Sequence, residues 1–142
     1  MNKELPHNHG GKSIQVIEQM PSLDVVEDVA NVFKQLGDAS RLRIFWFLCH
    51  CEECVTNIAA AMNMTSPAVS HHLRLLKSSN LIESHRHGKE MYYHATNTEI
   101  AQSLHHQIES LVKITCPDEK EESNDSYFFT LIYCTPIPPT PI

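Results

Sequence analysis

The sequence predicts a mainly α-helical chain with one small β-hairpin, five helices and a wing. Three observations predict it. Over residues 64–80, Thr65 and Ser66 can accept from free backbone N–H groups, Pro67 sits just inside, and no breaker interrupts 68–78, which together mark a helix start. Just upstream, Val55, Ile58, Ala59 and Met62 are apolar at helical spacing, and Asn63-Met64-Thr65 makes a tight connection, so the two helices form a helix-turn-helix. Downstream, the β-rich runs 81–84 and 91–95 bracket a basic loop, 85–90, that contains Gly88. A helix-turn-helix followed by a hairpin is a winged helix-turn-helix.

In chain order, residues 1–21 are polar, end at Pro21 and read as a flexible arm. His7 and His9 in that arm offer two imidazoles to a metal, although solvated histidines are the commoner outcome. The first helix follows from Leu23, Val25, Val26, Val29, Ala30, Val32, Phe33 and Leu36, with Ser22 as an available cap and Gly37-Asp38 as its end. Its apolar surface exceeds what one small core needs, which fits a dimer interface. The second helix begins at Ala39 or Ser40 and carries Leu42, Ile44, Phe45, Phe47 and Leu48 inward.

Cys49-His50-Cys51-Glu52-Glu53-Cys54 follows at the junction with the third helix, three thiols and an imidazole within six residues. An intracellular chain argues against a structural disulfide, and thiolates suit Zn(II), Cd(II), Pb(II) or As(III). Cys49, Cys51 and Cys54 are therefore candidate metal ligands, with oxidant sensing and inert packing as the other readings.

On the fourth helix, Val69, Leu73, Leu75 and Leu76, with Leu81 after it, face inward. Ser70, His71, Arg74 and Lys77 fall at three- and four-residue steps on the outer side. After the wing, Thr96 or Asn97 caps a fifth helix over 98–115 with an apolar stripe of Ile100, Leu104, Ile108, Leu111 and Val112. Beside that stripe stand Glu99, His105, His106 and Glu109 at one- and two-turn spacings, a second candidate set that suits tetrahedral Zn(II) or, failing a metal, a solvated polar face. Cys116 and Pro117 end the helix. Residues 117–142 are acidic, then apolar, then Pro-rich, and read as a disordered tail.

Thr65-Ser66-Pro67-Ala68-Val69-Ser70-His71-His72-Leu73-Arg74-Leu75-Leu76, then Leu81-Ile82, Arg86-His87-Gly88-Lys89 and Tyr92-Tyr93, closely resemble the ArsR/SmtB family of metal-sensing repressors. The resemblance covers roughly residues 22–116, which implies one winged-helix DNA-binding and dimerisation domain there. It implies a homodimer, joined through the first and last helices, that leaves operator DNA when a metal ion, or in some branches a thiol oxidant, binds. Carried onto this chain, Ser66, Ser70, His71 and Arg74 meet bases and phosphates, Lys77 meets phosphate, and Arg86, His87 and Lys89 lie along the minor groove or backbone.

The chain also departs from the family. Where thiolate-site relatives carry Cys-Val-Cys, only Cys54 aligns, Thr56 replaces the second cysteine, and Cys49 and Cys51 lie earlier. The family's last-helix zinc site aligns on Asn97, Glu99, Ser110 and Lys113, of which only Glu99 is a credible ligand. The oxidant-sensing branch pairs a second-helix cysteine with one near the end of the last helix, which makes Cys49 and Cys116 the redox alternative.

Composition sets the remaining bounds. A net charge of −6 is unusual for a partner of duplex DNA, but residues 34–94 hold seven Lys/Arg against five Asp/Glu, so the acid lies in the tails. No apolar run approaches ~20 residues and the start lacks a secretion signal, so a cytoplasmic protein without membrane partners is expected. Four glycines, no phosphate loop and no nucleophile motif argue against an enzyme or a small organic substrate.

Overall fold

The computed structural model describes residues 5–7 and 9–113, and the chain divides after Phe33 into two compact units. The first holds α1 (Lys12–Glu18) and most of α2 (Leu23–Leu36). The α1 helix lies inside the stretch read as a loose arm. Its seven residues contain neither Gly nor Pro, and none of them is buried. No residue of α2 is buried either; Leu23, Val25, Val26, Val29 and Phe33 all stand exposed in the single chain.

The second unit holds α3 (Ala39–His50), β1 (Glu53–Cys54), α4 (Val55–Met62), α5 (Ser66–Ser78), β2 (Ile82–His87), β3 (Glu90–Ala95) and α6 (Glu99–Val112). Each long helix starts on a side-chain cap. The Asp38 carboxylate accepts from the Arg41 N–H at 2.9 Å, and that bond draws its pKa below the usual carboxylate value. Thr65 accepts from Ala68 N–H at 3.4 Å and Thr98 from Ala101 N–H at 3.2 Å, which moves the last cap to Thr98 from the expected Thr96 or Asn97. Thr96 instead donates to the Asn80 carbonyl at 2.9 Å, pinning the end of β3 to the turn that follows α5. At the other end of α4, Asn63 adopts the left-handed conformation at φ 55° and closes the helix-turn-helix connection.

The core is one cluster of Ile44, Phe45 and Leu48 from α3, Ile58, Ala59 and Met62 from α4, Val69, Leu73 and Leu76 from α5, and Leu81, Ile82, Ala95 and Ala101. Leu42, Phe47 and Leu75, expected inside, are only half-buried.

The wing differs from its sequence reading in two ways. Both strands run further toward the tip, because Gly88 at φ +62° supplies the positive φ of a two-residue turn and leaves only Gly88-Lys89 between them. His85, Arg86 and His87 therefore lie on β2, not in a loop. A third strand, β1, also pairs with β3, giving the antiparallel order β1-β3-β2 with Glu53 opposite Tyr93.

On α6, Ala101, His105 and Glu109, spaced four residues apart, are buried. Of the apolar stripe expected to pair with a twin, Leu104 and Ile108 are half-buried and Ile100, Leu111 and Val112 are exposed in the single chain. Among the described residues, no helix is long and apolar enough to cross a membrane.

Candidate functional site

Two surfaces carry chemistry. The first is the outer face of α5 with the wing. Ser66, Ser70, His71, Arg74 and Lys77 on α5 and Arg86, His87 and Lys89 at the hairpin tip are all exposed. Burial of Val69, Leu73 and Leu76 on the opposite side of α5 holds the polar stripe outward. Lys77 Nζ donates to Ser84 Oγ at 2.7 Å and joins α5 to β2. His72 turns inward, half-buried, with Nδ1 4.0 Å from Asp38 Oδ1.

The cysteine stretch does not form one thiolate cage. Cys49 is buried in the last turn of α3, Cys51 caps that helix with its Sγ on the Phe47 carbonyl at 3.3 Å, and Cys54 is buried on β1. Among the described residues, no three metal-ligand atoms that include one of these sulfurs lie together. Burial, with the Glu53 charge adding to it, pushes the Cys51 thiol up to about 11, so it is a poor thiolate donor at neutral pH. Cys116 lies outside the described residues, as does the tail beyond Lys113. His7 and His9 are exposed, with ring centroids 6.1 Å apart.

A different trio converges. His50 from the end of α3 and His105 and Glu109 from α6 place His50 Nε2 3.3 Å from Glu109 Oε1, His105 Nε2 3.1 Å from the same oxygen, and the two Nε2 atoms 3.0 Å apart. The side chains of His105 and Glu109 are 5% and 7% exposed and that of His50 10%, so water supplies little compensation. Glu109 Oε1 makes no hydrogen bond, although both imidazole nitrogens lie within 3.3 Å of it. In a triangle with 3 Å sides, one N–H cannot point at two corners, and two protons cannot satisfy three edges.

Such a triangle is the arrangement of ligands around a common centre. Tetrahedral zinc with bonds of 2.0–2.1 Å sets its ligand atoms about 3.3–3.4 Å apart, within a few tenths of the separations found. The donor chemistry fits as well. Burial, reinforced by the neighbouring His106, lowers the His105 pKa, which keeps that ring in the neutral, metal-ligating form. Trp46 packs on His50 at a centroid distance of 4.4 Å and orients it.

His105 and Glu109 were legible as a pair one turn apart on a helix. His106 is half-buried and Glu99 is exposed, and neither joins the trio. His50 was hidden among the cysteines, and it lies 55 residues from His105, so only the packing of α3 on α6 reveals it as the third member of the group.

A family model described as "Bacterial regulatory protein, arsR family" matches residues 38–84. The transcriptional repressor SdpR of Bacillus subtilis is 35% identical over 74 residues, 52% of this chain and 82% of that protein. The chain belongs to the ArsR family. A second relative, the transcriptional repressor SmtB homolog of Synechocystis, is 43% identical over 79 residues, 56% of this chain. That match spans only 60% of the relative's own length. Among solved structures, the homodimeric winged helix-turn-helix DNA-binding domain of a possible ArsR-family regulator from Mycobacterium bovis superposes with a TM-score of 0.58. It is 31% identical, and the match covers 63% of this chain and 82% of that one. The helix-turn-helix of the ArsR fold corresponds here to α4 and α5 and its wing to β2 and β3.

Proposed function

We propose that the protein is a homodimeric transcriptional repressor that binds operator DNA through α5 and the wing and releases it when a divalent metal ion is held by His50, His105 and Glu109. The observation that carries the effector reading is the mutual 3.0–3.3 Å spacing of three buried ligand atoms, one of them a carboxylate oxygen without a hydrogen bond. Membership of the ArsR family and the exposed row Ser66, Ser70, His71, Arg74 support the DNA reading. Two apolar surfaces left open in a single chain support the dimer, one on α2 and one made by Ile100, Leu111 and Val112 on α6.

In this reading the trio joins α6, a dimer-forming helix, to the end of α3, which leads directly into β1, α4 and α5. A bound ion supplies a positive charge facing the buried Glu109 carboxylate. His50 and His105 orient toward it, and any change in the α3–α6 angle alters the separation of the paired recognition helices from the ~34 Å of successive major grooves. A coupling of ~1–3 kcal/mol is enough for a roughly 5- to 150-fold loss of operator affinity.

The test is operator binding by fluorescence anisotropy, titrated anaerobically with Zn(II), Cd(II), As(III) and polysulfide, on wild type, His105→Ala, Cys49→Ser and Cys116→Ser. Zinc-driven release in wild type and both cysteine variants, and its loss in His105→Ala, supports the proposal. Release by polysulfide alone, abolished by either serine substitution, overturns it in favour of a Cys49–Cys116 thiol switch.

A further inference from the structure

A second group of ligands gathers at the base of the wing. Extending the β1–β3 register by one step sets Glu52 beside His94, and the β2–β3 register sets Glu83 on the other side, so a carboxylate, an imidazole and a carboxylate form a row across the sheet. Two residues along β2 from Glu83, on the same face, is His85.

The distances complete the picture. Glu52 uses both oxygens, Oε1 at 3.1 Å from His85 Nε2 and Oε2 at 3.1 Å from His94 Nδ1. The remaining nitrogen of His94, Nε2, lies 2.8 Å from Glu83 Oε1. Glu52 Oε2 and His94 Nδ1 are both buried atoms without a hydrogen bond, although they face each other. His85 is held by stacking on Tyr92 at a centroid distance of 6.0 Å and an interplanar angle of 18°.

We infer that Glu52, His85 and His94 form a second divalent-cation site, for Zn(II) or a similar borderline ion, with Glu83 as the positioning residue that fixes the tautomer of His94. An imidazole that turns one nitrogen to a ligand set and the other to a carboxylate is the usual arrangement of a metal-bound histidine. Glu52, His85 and His94 each turn a ligand atom to the same place, the mixed imidazole and carboxylate set that a divalent ion takes. With no sulfur in the set, imidazole and carboxylate donors select borderline over soft metals. The His85 side chain is 37% exposed, which leaves a route for entry and a place for water as a further ligand.

The site clamps the segment after α3 to both strands of the hairpin stem. Arg86, His87 and Lys89 at the tip are not among the ligands and stay exposed, so the ion stiffens the wing without occupying them. His50 and Glu52 are separated by Cys51 alone, so one short stretch serves the α6 trio on one side and the wing on the other. The inference goes beyond the proposed effector site and stands without it.

The experiment is zinc titration of the full chain against a chromophoric chelator, together with long-range proton–nitrogen NMR of the histidine rings. Wild type is expected to bind two equivalents per chain. The His105→Ala variant is expected to keep one, whose binding shifts the ring nitrogens of His85 and His94. Glu83→Gln is expected to weaken that equivalent about 10- to 100-fold, and adding His85→Ala to His105→Ala to abolish it. If the His85 and His94 nitrogens of wild type do not respond to zinc, or if His85→Ala leaves both equivalents intact, the wing cluster is only an ion-pair network and the inference fails. Two equivalents persisting in His105→Ala instead overturn the α6 site and leave this one standing.

Discussion

Replacing Glu109 with Gln removes one charge from the α3–α6 trio while keeping its shape, and so separates a metal site from a packing contact. The three ligand atoms already sit 3.0–3.3 Å apart, so little rearrangement is needed when an ion binds. Stabilisation then follows mass action, about 2.7 kcal/mol when zinc is at 100 times its Kd. For a domain of this size each kcal/mol moves Tm by roughly 4–8 °C, so the shift contributed by this site is about 10–20 °C. Glu109→Gln is expected to lose most of that increment. The metal-free variant should melt at or slightly above wild type, because a buried carboxylate oxygen without a hydrogen bond has been exchanged for a neutral amide. Differential scanning calorimetry with and without zinc, on both proteins at matched concentration, measures both effects. A variant that keeps the full zinc-induced shift, or a metal-free variant that melts well below wild type, refutes the reasoning: the trio would then be a structural polar contact.

Three further outcomes are expected. Arg74→Ala should cost ~1–3 kcal/mol of operator affinity and relax the base preference at one position, whereas Lys89→Ala should weaken all sequences alike and lower the salt slope by about 1, both read from anisotropy at several salt concentrations. Leu73→Ala removes a side chain 1% exposed, packed between α5 and the other helices, and should lower stability by about 2–5 kcal/mol in urea unfolding. With its thiol pushed up to about 11 against an ordinary 9.0, Cys51 should be alkylated by iodoacetamide about 100-fold more slowly at pH 8 than a free cysteine, since only the thiolate reacts. The rate should climb tenfold per pH unit until the pH nears that value; mass-spectrometric mapping that finds fast labelling of Cys51 at pH 8 contradicts the burial argument.

The sequence by itself determined the helix-turn-helix and the hairpin of this protein, but not the short α1 or β1. A capped start at Thr65, Pro67 inside the first turn, and apolar residues at 69, 73 and 76 specify α5 and its outward stripe through interactions spanning only a few residues. Gly88 between two β-rich runs specifies the hairpin for the same reason, although how far the strands extend toward the tip needed the turn geometry itself.

The tertiary structure alone decided which polar groups meet. Spacing along a helix cannot say which of two stripes turns inward. On α6 His105 and Glu109 turn inward and face His50 from α3, while Ile100, Leu111 and Val112 stay exposed. The same holds for the cysteines: adjacency in sequence suggested one cage, but a helix end, a cap and a strand send Cys49, Cys51 and Cys54 into separate surroundings. Meanwhile His50 and Glu52 reach partners 55 and 42 residues away. Burial and pairing of charge depend on contacts made across the fold, and those contacts leave no period in the chain.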